Sequence, residues 1–134
     1  HFTDSTFNNP NDHAYAICNE MRQRKVSIQY TPYMSPFSPS KELFSLLKET
    51  GCDGITFGVD ALSENMLLNL KKGFKVADVY QAARYCQELD IPFSLNLLLG
   101  GPGETKKTVL ESLRNIEEIN PVDSSHYRSH KHDH

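Results

Sequence analysis

Residues 96–105, Asn-Leu-Leu-Leu-Gly-Gly-Pro-Gly-Glu-Thr, constrain this chain more than any other ten positions. An apolar run enters the stretch and is stopped by three glycines and a proline. With no side chain at Gly100, Gly101 or Gly103, the backbone can bend sharply and a ligand can approach it closely. Thr105 stands where a helix N-cap belongs, and Thr108, Leu110, Leu113 and Ile116 follow at helical spacing. A strand, a glycine turn and a helix, in that order, form the corner at which parallel α/β folds place ligands. The rest of the chain must supply the sheet that holds this corner.

Upstream, strand-like and helix-like segments alternate. Residues 1–3 read as the end of a strand and residues 4–10 as a polar turn. Asn11 or Asp12 opens a helix to Lys25, with Ala14, Ile17, Cys18 and Met21 on one face. Residues 26–30 alternate Val26, Ile28 and Tyr30 with Ser27 and Gln29, the period of a strand. Residues 31–39 hold Pro32, Pro36 and Pro39 and read as an apolar loop. Ser40 caps a helix to Thr50 that turns Leu43, Phe44 and Leu47 inward and stops at Gly51. Residues 54–59 make the next strand, with Asp60 directly after it. Helices over 63–72 and 78–89 follow, the first ended by Gly73. Residues 92–99 then form the strand that runs into the glycine corner, and a last helix spans 105–119.

The pattern is strand–helix, repeated about four times. Nearly unbroken apolar strands alternating with amphipathic helices predict an α/β fold with a parallel sheet covered by helices. Right-handed crossovers bring the carboxyl ends of such strands to one edge. Asp4, Tyr30 or Thr31, Asp60 and Gly100 are expected to meet there.

Composition closes off other classes. Of the 134 residues, 38% are hydrophobic and 23% charged, which suits an ordinary soluble chain. No apolar run approaches the roughly 18 residues of a membrane span, and no signal-peptide layout opens the sequence. The net charge of −3 comes without a basic stripe, which argues against nucleic acid as a partner. Cys18, Cys52 and Cys86 lie 34 residues apart, so no Cys-x-x-Cys pair exists, and buried thiols in a reducing cytoplasm are expected. Residues 122–134 lack apolar periodicity. Their His126, His130, His132 and His134 offer ligands to a transition metal, but nothing there fixes a geometry, and a frayed or foreign terminal segment is the expected reading.

Four motifs in order resemble a known family: Phe2-Thr3-Asp4-Ser5-Thr6-Phe7-Asn8, then Gly51-Cys52-Asp53-Gly54-Ile55-Thr56-Phe57-Gly58-Val59-Asp60, then Leu70-Lys71-Lys72-Gly73, then Leu99-Gly100-Gly101-Pro102-Gly103-Glu104-Thr105. Together they are similar to the radical S-adenosylmethionine (SAM) superfamily of Fe–S oxidoreductases, most of all to the branch that carries a cobalamin-binding domain. The resemblance covers residues 1–121. It implies a partial (β/α) TIM-type barrel, in which 1–3, 26–30, 54–59 and 92–99 are successive barrel strands.

It also implies site residues. Thr3, Asp4 and Ser5 would hold the amino group of SAM, where a carboxylate pairs with the ammonium by charge-assisted hydrogen bonding. Asp60, ending a strand, would meet the ribose. Asn96, Leu98, Gly100 and Gly103 would support the adenine. Tyr30, Tyr33 and Phe37 are candidates for the substrate wall, and Glu104 reads as a first-turn helix carboxylate. The implied cofactors of the parent enzyme are SAM and a 4Fe–4S cluster, with cobalamin possible. Two features depart from the family pattern. Asp60 is one methylene shorter than the usual Glu or Gln, and the Cys-x3-Cys-x2-Cys cluster loop is missing. The chain is therefore expected to be part of a larger enzyme, inactive alone and holding no cofactor.

Two other readings stand beside this one. The first is an independent nucleotide- or phosphate-binding module, although no Gly-x4-Gly-Lys-Ser/Thr or Gly-x-Gly-x-x-Gly is present and Glu104 would repel a phosphate. The second is a ligand-free half barrel that forms homo-oligomers through exposed sheet edges.

Overall fold

The structure, a computed structural model, describes residues 5–119. Its elements run α1 (Asn11–Gln23), β1 (Tyr33–Met34), α2 (Lys41–Glu49), β2 (Ile55–Asp60), α3 (Glu64–Asn69), α4 (Val76–Glu88), β3 (Phe93–Leu97) and α5 (Lys106–Ile119). Both strand pairs are parallel and the sheet order is β1-β2-β3. The expected α/β architecture is present, as an unclosed sheet with three strands among the described residues. The strand end expected at 1–3 and the tail at 122–134 lie outside them.

The strand expected at 26–30 is displaced. Val26 and Ile28 are 41% and 45% exposed, and pairing begins only with a single bridge from Tyr30 to Cys52. The strand proper is Tyr33–Met34, opposite Thr56 and Phe57. The cause is the partner: β2 starts at Ile55, so residues 26–29 have no strand beside them. Period-2 alternation reports a chain that suits a sheet, not where its neighbour begins. The prolines expected to keep 31–39 out of the sheet are tolerated at its edge. The Pro32 carbonyl accepts from the Thr56 N–H at 3.1 Å. Across the ladder the Gly54 carbonyl, facing a residue without an N–H, accepts from the Cys52 thiol at 3.2 Å.

Local chemistry starts and stops the helices. Ser40 Oγ accepts from the Leu43 N–H at 3.3 Å and caps α2, which buries Leu43, Phe44, Leu46 and Leu47. Gly51 follows at φ +107°, in a place where a Cβ would overlap the Ile28 carbonyl. The Asp78 carboxylate accepts from the Lys75 N–H at 2.9 Å at the start of α4. Thr105 and Thr108 cap α5 reciprocally, each hydroxyl accepting from the other's backbone N–H, at 3.2 and 2.9 Å.

One face of the sheet makes the core. Ile55, Phe57 and Val59 of β2 and Phe93 of β3 point to the helices, where the Phe57 ring lies 6.2 Å from both Phe44 and Phe93. Burying such a side chain contributes about 2–3 kcal/mol. Cys18, Cys52 and Cys86 are free thiols in this layer, and burial pushes Cys52 up to about 12. The opposite face carries Tyr33, Thr56, Gly58, Ser94 and Asn96. There Ser94 Oγ donates to Thr56 Oγ1 at 3.2 Å, and the Tyr33 phenol occupies the space a Cβ on Gly58 would need.

Of the four residues at helical spacing in α5, Thr108 is buried and Ile116 packs against the core, while the two leucines do not. Leu110 and Leu113 are half exposed, whereas Thr108 and Ile119 are buried and Ser112 and Asn115 reach inward. The helix meets the fold through Ile116 and Ile119 in the core and through hydrogen bonds to the loop after β2.

Candidate functional site

The carboxyl ends of β2 and β3 lie side by side. The register slips between Gly58 and Asp60: Gly58 faces Asn96, while Asp60 faces Leu97. Such a bulge re-aims the side chain that follows it. Asp60 takes φ +63°, a left-handed conformation that costs a residue with a Cβ some strain. Two contacts hold it. Its carbonyl accepts from the Leu98 N–H at 2.9 Å, which joins the two strand ends. Its carboxylate meets Lys72 Nζ at 2.8 Å, with the two side chains 24% and 23% exposed. Lys72 comes from the turn after α3, and its ammonium also lies 5.8 Å from the centre of the Phe74 ring.

The end of β3 is built from backbone. Gly100 has φ +88°, and a Cβ there would meet nothing within 4 Å, so its glycine serves conformation alone. Gly103, at φ +81°, has the Asn69 amide where a Cβ would go. Asn69 Nδ2 also donates to the Pro102 carbonyl at 3.2 Å, so the corner rests on α3. The Glu104 carboxylate accepts from the Gly100 N–H, and the Glu104 N–H donates to the Gly101 carbonyl at 3.1 Å. The acid expected to serve the helix start closes the corner on itself. Behind it, Asp60, Leu97, Leu99, Val109 and Leu113 line a crevice of about 20 Å³, room for one water. Leu98 is 61% exposed on the lip.

At β1 the rim differs from expectation. The strand ends at Met34, so Ser35 rather than Tyr30 or Thr31 follows it. The buried side chain of Asn8 accepts from the Ser35 N–H and donates to the Ser35 carbonyl, both at 2.8 Å. Phe7 N–H donates to the Tyr33 carbonyl at 2.7 Å. Residues 7–8 thus border the outer edge of β1, a role that their polar, turn-like sequence did not signal. Ser5 is exposed nearby, while Thr3 and Asp4 lie outside the described residues.

The substrate-wall candidates separate. Tyr30 does not belong to the substrate wall: it is 3% exposed, it precedes β1 rather than ending a strand, and its hydroxyl lies 2.6 Å from Thr50 Oγ1 in the helix layer. Burial pushes that phenol well above its usual value. Tyr33 lies on the open face over Gly58, and Phe37 is 52% exposed beyond β1. Lys72 is the rim residue that motif reading quoted without assigning it a role. Its signal was the Lys-Lys-Gly stop of a short helix, which places a cation one helical segment after the strand-end acid.

A family model described as the radical SAM superfamily matches residues 3–116. The chain belongs to that superfamily. Tryptophan 2-C-methyltransferase of Streptomyces laurentii is 27% identical over 89% of this chain, and the heme chaperone HemW of Bacillus subtilis (strain 168) is 29% identical over 69% of it. The chain spans between a fifth and a quarter of the length of these relatives, 22% and 24%. Among solved structures, the radical SAM methyltransferase TsrM of Kitasatospora setae, with cobalamin and a [4Fe-4S] cluster bound, superposes with a TM-score of 0.80 at 27% identity. That match covers 89% of this chain and 24% of TsrM. The cobalamin-dependent radical enzyme OxsB shares the fold with a TM-score of 0.70 at 18% identity, over 86% of this chain and 18% of OxsB.

The superfamily's cofactors can be tested against the residues present. Among the described residues no group of three His, Cys, Asp or Glu could hold a metal. The three thiols are buried in separate places, and burial raises all three. They do not fit an iron–sulfur cluster. The rim of β2 and β3 offers a partly exposed carboxylate, Asp60, beside a corner with three glycines, a donor set that suits hydroxyls and a flat base rather than a metal. No helix of the described residues is long and apolar enough to cross a membrane.

Proposed function

We propose that this chain supplies the adenosine-facing part of the SAM site of a radical SAM enzyme. One observation carries the reading: Asp60, partly exposed and ion-paired to Lys72, ends β2 and is joined through its carbonyl to Leu98, on the lip of the glycine corner. In this role Asp60 accepts hydrogen bonds from the ribose hydroxyls, as an acid after a strand does in dinucleotide folds. Asn96, Leu98, Gly100 and Gly103 support the base, and Thr3, Asp4 and Ser5 hold the amino group. Tyr33 and Phe37 are offered to the substrate side. SAM, cleaved reductively at a 4Fe–4S cluster, supplies radical initiation to the whole enzyme, with cobalamin as a further cofactor in the branch that TsrM represents. The cluster is held elsewhere in that assembly, so the chain alone carries out no SAM cleavage. A cytoplasmic setting agrees with the free, buried thiols.

The test is titration of the 134-residue chain with S-adenosylhomocysteine, followed through its backbone amides. Shifts confined to Asp60, Asn96 and residues 98–103, lost in Asp60→Ala, support the reading. Shifts produced instead by inorganic phosphate or ATP at the glycine corner transfer the site to a phosphate-binding module, and 5′-deoxyadenosine made by the iron- and sulfide-treated chain under dithionite refutes its inactivity.

A second property rests on a separate observation. Among the described residues β3 is an edge strand, flanked by exposed Leu98, Leu99, Leu110 and Leu113. Open parallel edges with apolar flanks favour pairing between copies. Self-association is therefore expected, and a monomer by light scattering at high concentration counts against it.

A further inference from the structure

The loop that leaves Asp60 is fastened by a helix far along the chain. The Leu62 N–H donates to Ser112 Oγ at 3.1 Å, and the Leu62 carbonyl accepts from Asn115 Nδ2 at 2.7 Å. Leu62 is fully buried, and so is Ser63, whose hydroxyl has no partner among the described residues. The loop is thus held through the backbone of Leu62 and not by the serine that begins α3. The far side of Asn115 is set as well. The Tyr80 hydroxyl, from α4, lies 3.1 Å from Asn115 Oδ1 and 2.6 Å from a Glu118 carboxylate oxygen. The amide is oriented by Leu62 itself: a carbonyl only accepts, so Nδ2 must face it and Oδ1 is turned toward the Tyr80 hydroxyl, whose one proton is nearer the Glu118 carboxylate.

The helix that carries Ser112 and Asn115 is α5, whose first turn grows out of the glycine corner. One rigid element therefore starts at the end of β3 and grips the chain two residues beyond the end of β2. The strand ends also meet directly, through the pairing of Asp60 with Leu97 and the bond from the Leu98 N–H to the Asp60 carbonyl. Only Ala61 separates the anchored Leu62 from Asp60, whose left-handed backbone has to be held in place by its surroundings.

We propose that Asn115 and Ser112 are positioning residues of the rim: through Leu62 they set where Asp60 stands relative to the glycine corner. They touch no ligand themselves. Their part in SAM recognition rests on the function proposed above, whereas their effect on the rim does not.

The experiment keeps the two apart. In the whole chain, hydrogen exchange of the Leu98 amide is read relative to that of Phe57 in the middle of β2, and S-adenosylhomocysteine affinity is measured by calorimetry. Ser112→Ala with Asn115→Ala should raise the Leu98/Phe57 exchange ratio and weaken the ligand, each about tenfold, as expected for lost buried hydrogen bonds. Ser112→Thr alone, which keeps the acceptor and leaves Asn115 in place, should leave both near their starting values. Leu47→Ala in α2, a cavity variant remote from the rim, should lower the thermal midpoint yet raise both amides together. A ratio unchanged in the double variant overturns the proposal whatever the ligand does. If the double variant does not fold, Ser112→Ala alone decides by the same ratio. A raised ratio in a chain that binds no S-adenosylhomocysteine upholds the clamp and refutes the SAM reading for this chain.

Discussion

The ends of β2 and β3 sit next to each other but are made by opposite means. The β2 end is a side-chain structure: an aspartate forced left-handed, held by an ion pair to Lys72 and by the α5 hydrogen bonds to Leu62. The β3 end is a backbone structure, in which Gly100 and Gly103 take positive φ and Glu104 closes the turn onto the Gly100 N–H. One presents a charge, the other an open peptide surface. In the function proposed above the two serve different parts of one ligand, the carboxylate the ribose hydroxyls and the glycine corner the flat base. The comparison also shows where each end is vulnerable. Charge and long-range contacts govern β2; conformation governs β3.

The largest effect should act on both ends at once, through the core they share. Burial raises Cys52 from its ordinary 9.0 to about 12, with Cys18, Cys86 and Tyr30 raised in the same layer. The folded state holds these protons longer than the unfolded chain does. Their contribution to stability is therefore complete below about pH 9 and lost as pH rises through about 12. Circular dichroism across that window should show one cooperative transition, with the backbone carbonyl carbon resonances of Asp60 and Gly100 changing together. Loss of one rim well before the other would mean that they do not share a core.

Next in size is Gly103→Val, which combines a forbidden φ with overlap on Asn69 and should cost about 3 kcal/mol. Gly100→Ala, strained in φ but free of contacts, should cost only about 1 kcal/mol by thermal or denaturant unfolding. Equal costs at the two positions would remove the distinction between close approach and conformation. Lys72→Met leaves a half-buried carboxylate without its cation and should cost about 1–2 kcal/mol, most of it recovered when Asp60→Asn is added. A double-mutant cycle with no coupling would make the pair incidental. Smallest is Glu104→Gln, which keeps an acceptor for the Gly100 N–H but removes its charge, at about 0.5–1 kcal/mol. A larger loss there than at Lys72 would invert the contrast between the two ends.

Much of this was legible from residues. Ser40, Gly51, Gly73 and Thr105 marked helix boundaries because caps and stops are local chemistry, satisfied within a few positions. Apolar runs identified β2 and β3 because both meet their partners over most of the expected ranges, although β3 stops at Leu97, two residues short of 99. Alternation failed at residues 26–30, where the pattern is real but the neighbouring strand starts later. In α5 helical spacing gave the span but not the partners: Leu110 and Leu113 are half exposed, while Ser112 and Asn115 bond to Leu62. Tyr30 looked like a rim residue only because the strand was placed too early.

The sequence by itself determined the α/β alternation, the glycine corner, the acid at residue 60 and the family, since each depends on residue type and short spacing. Tertiary structure alone decided what those parts do together. It paired Asp60 with Lys72, turned Glu104 onto the Gly100 N–H, laid Tyr33 over Gly58 and tied Leu62 to a helix 50 and more residues away. The physical reason is that a carboxylate, an amide or a hydroxyl carries its chemistry in the residue. Its partner is chosen by the register of strands and the rotation of helices, and those are fixed only when the whole core closes.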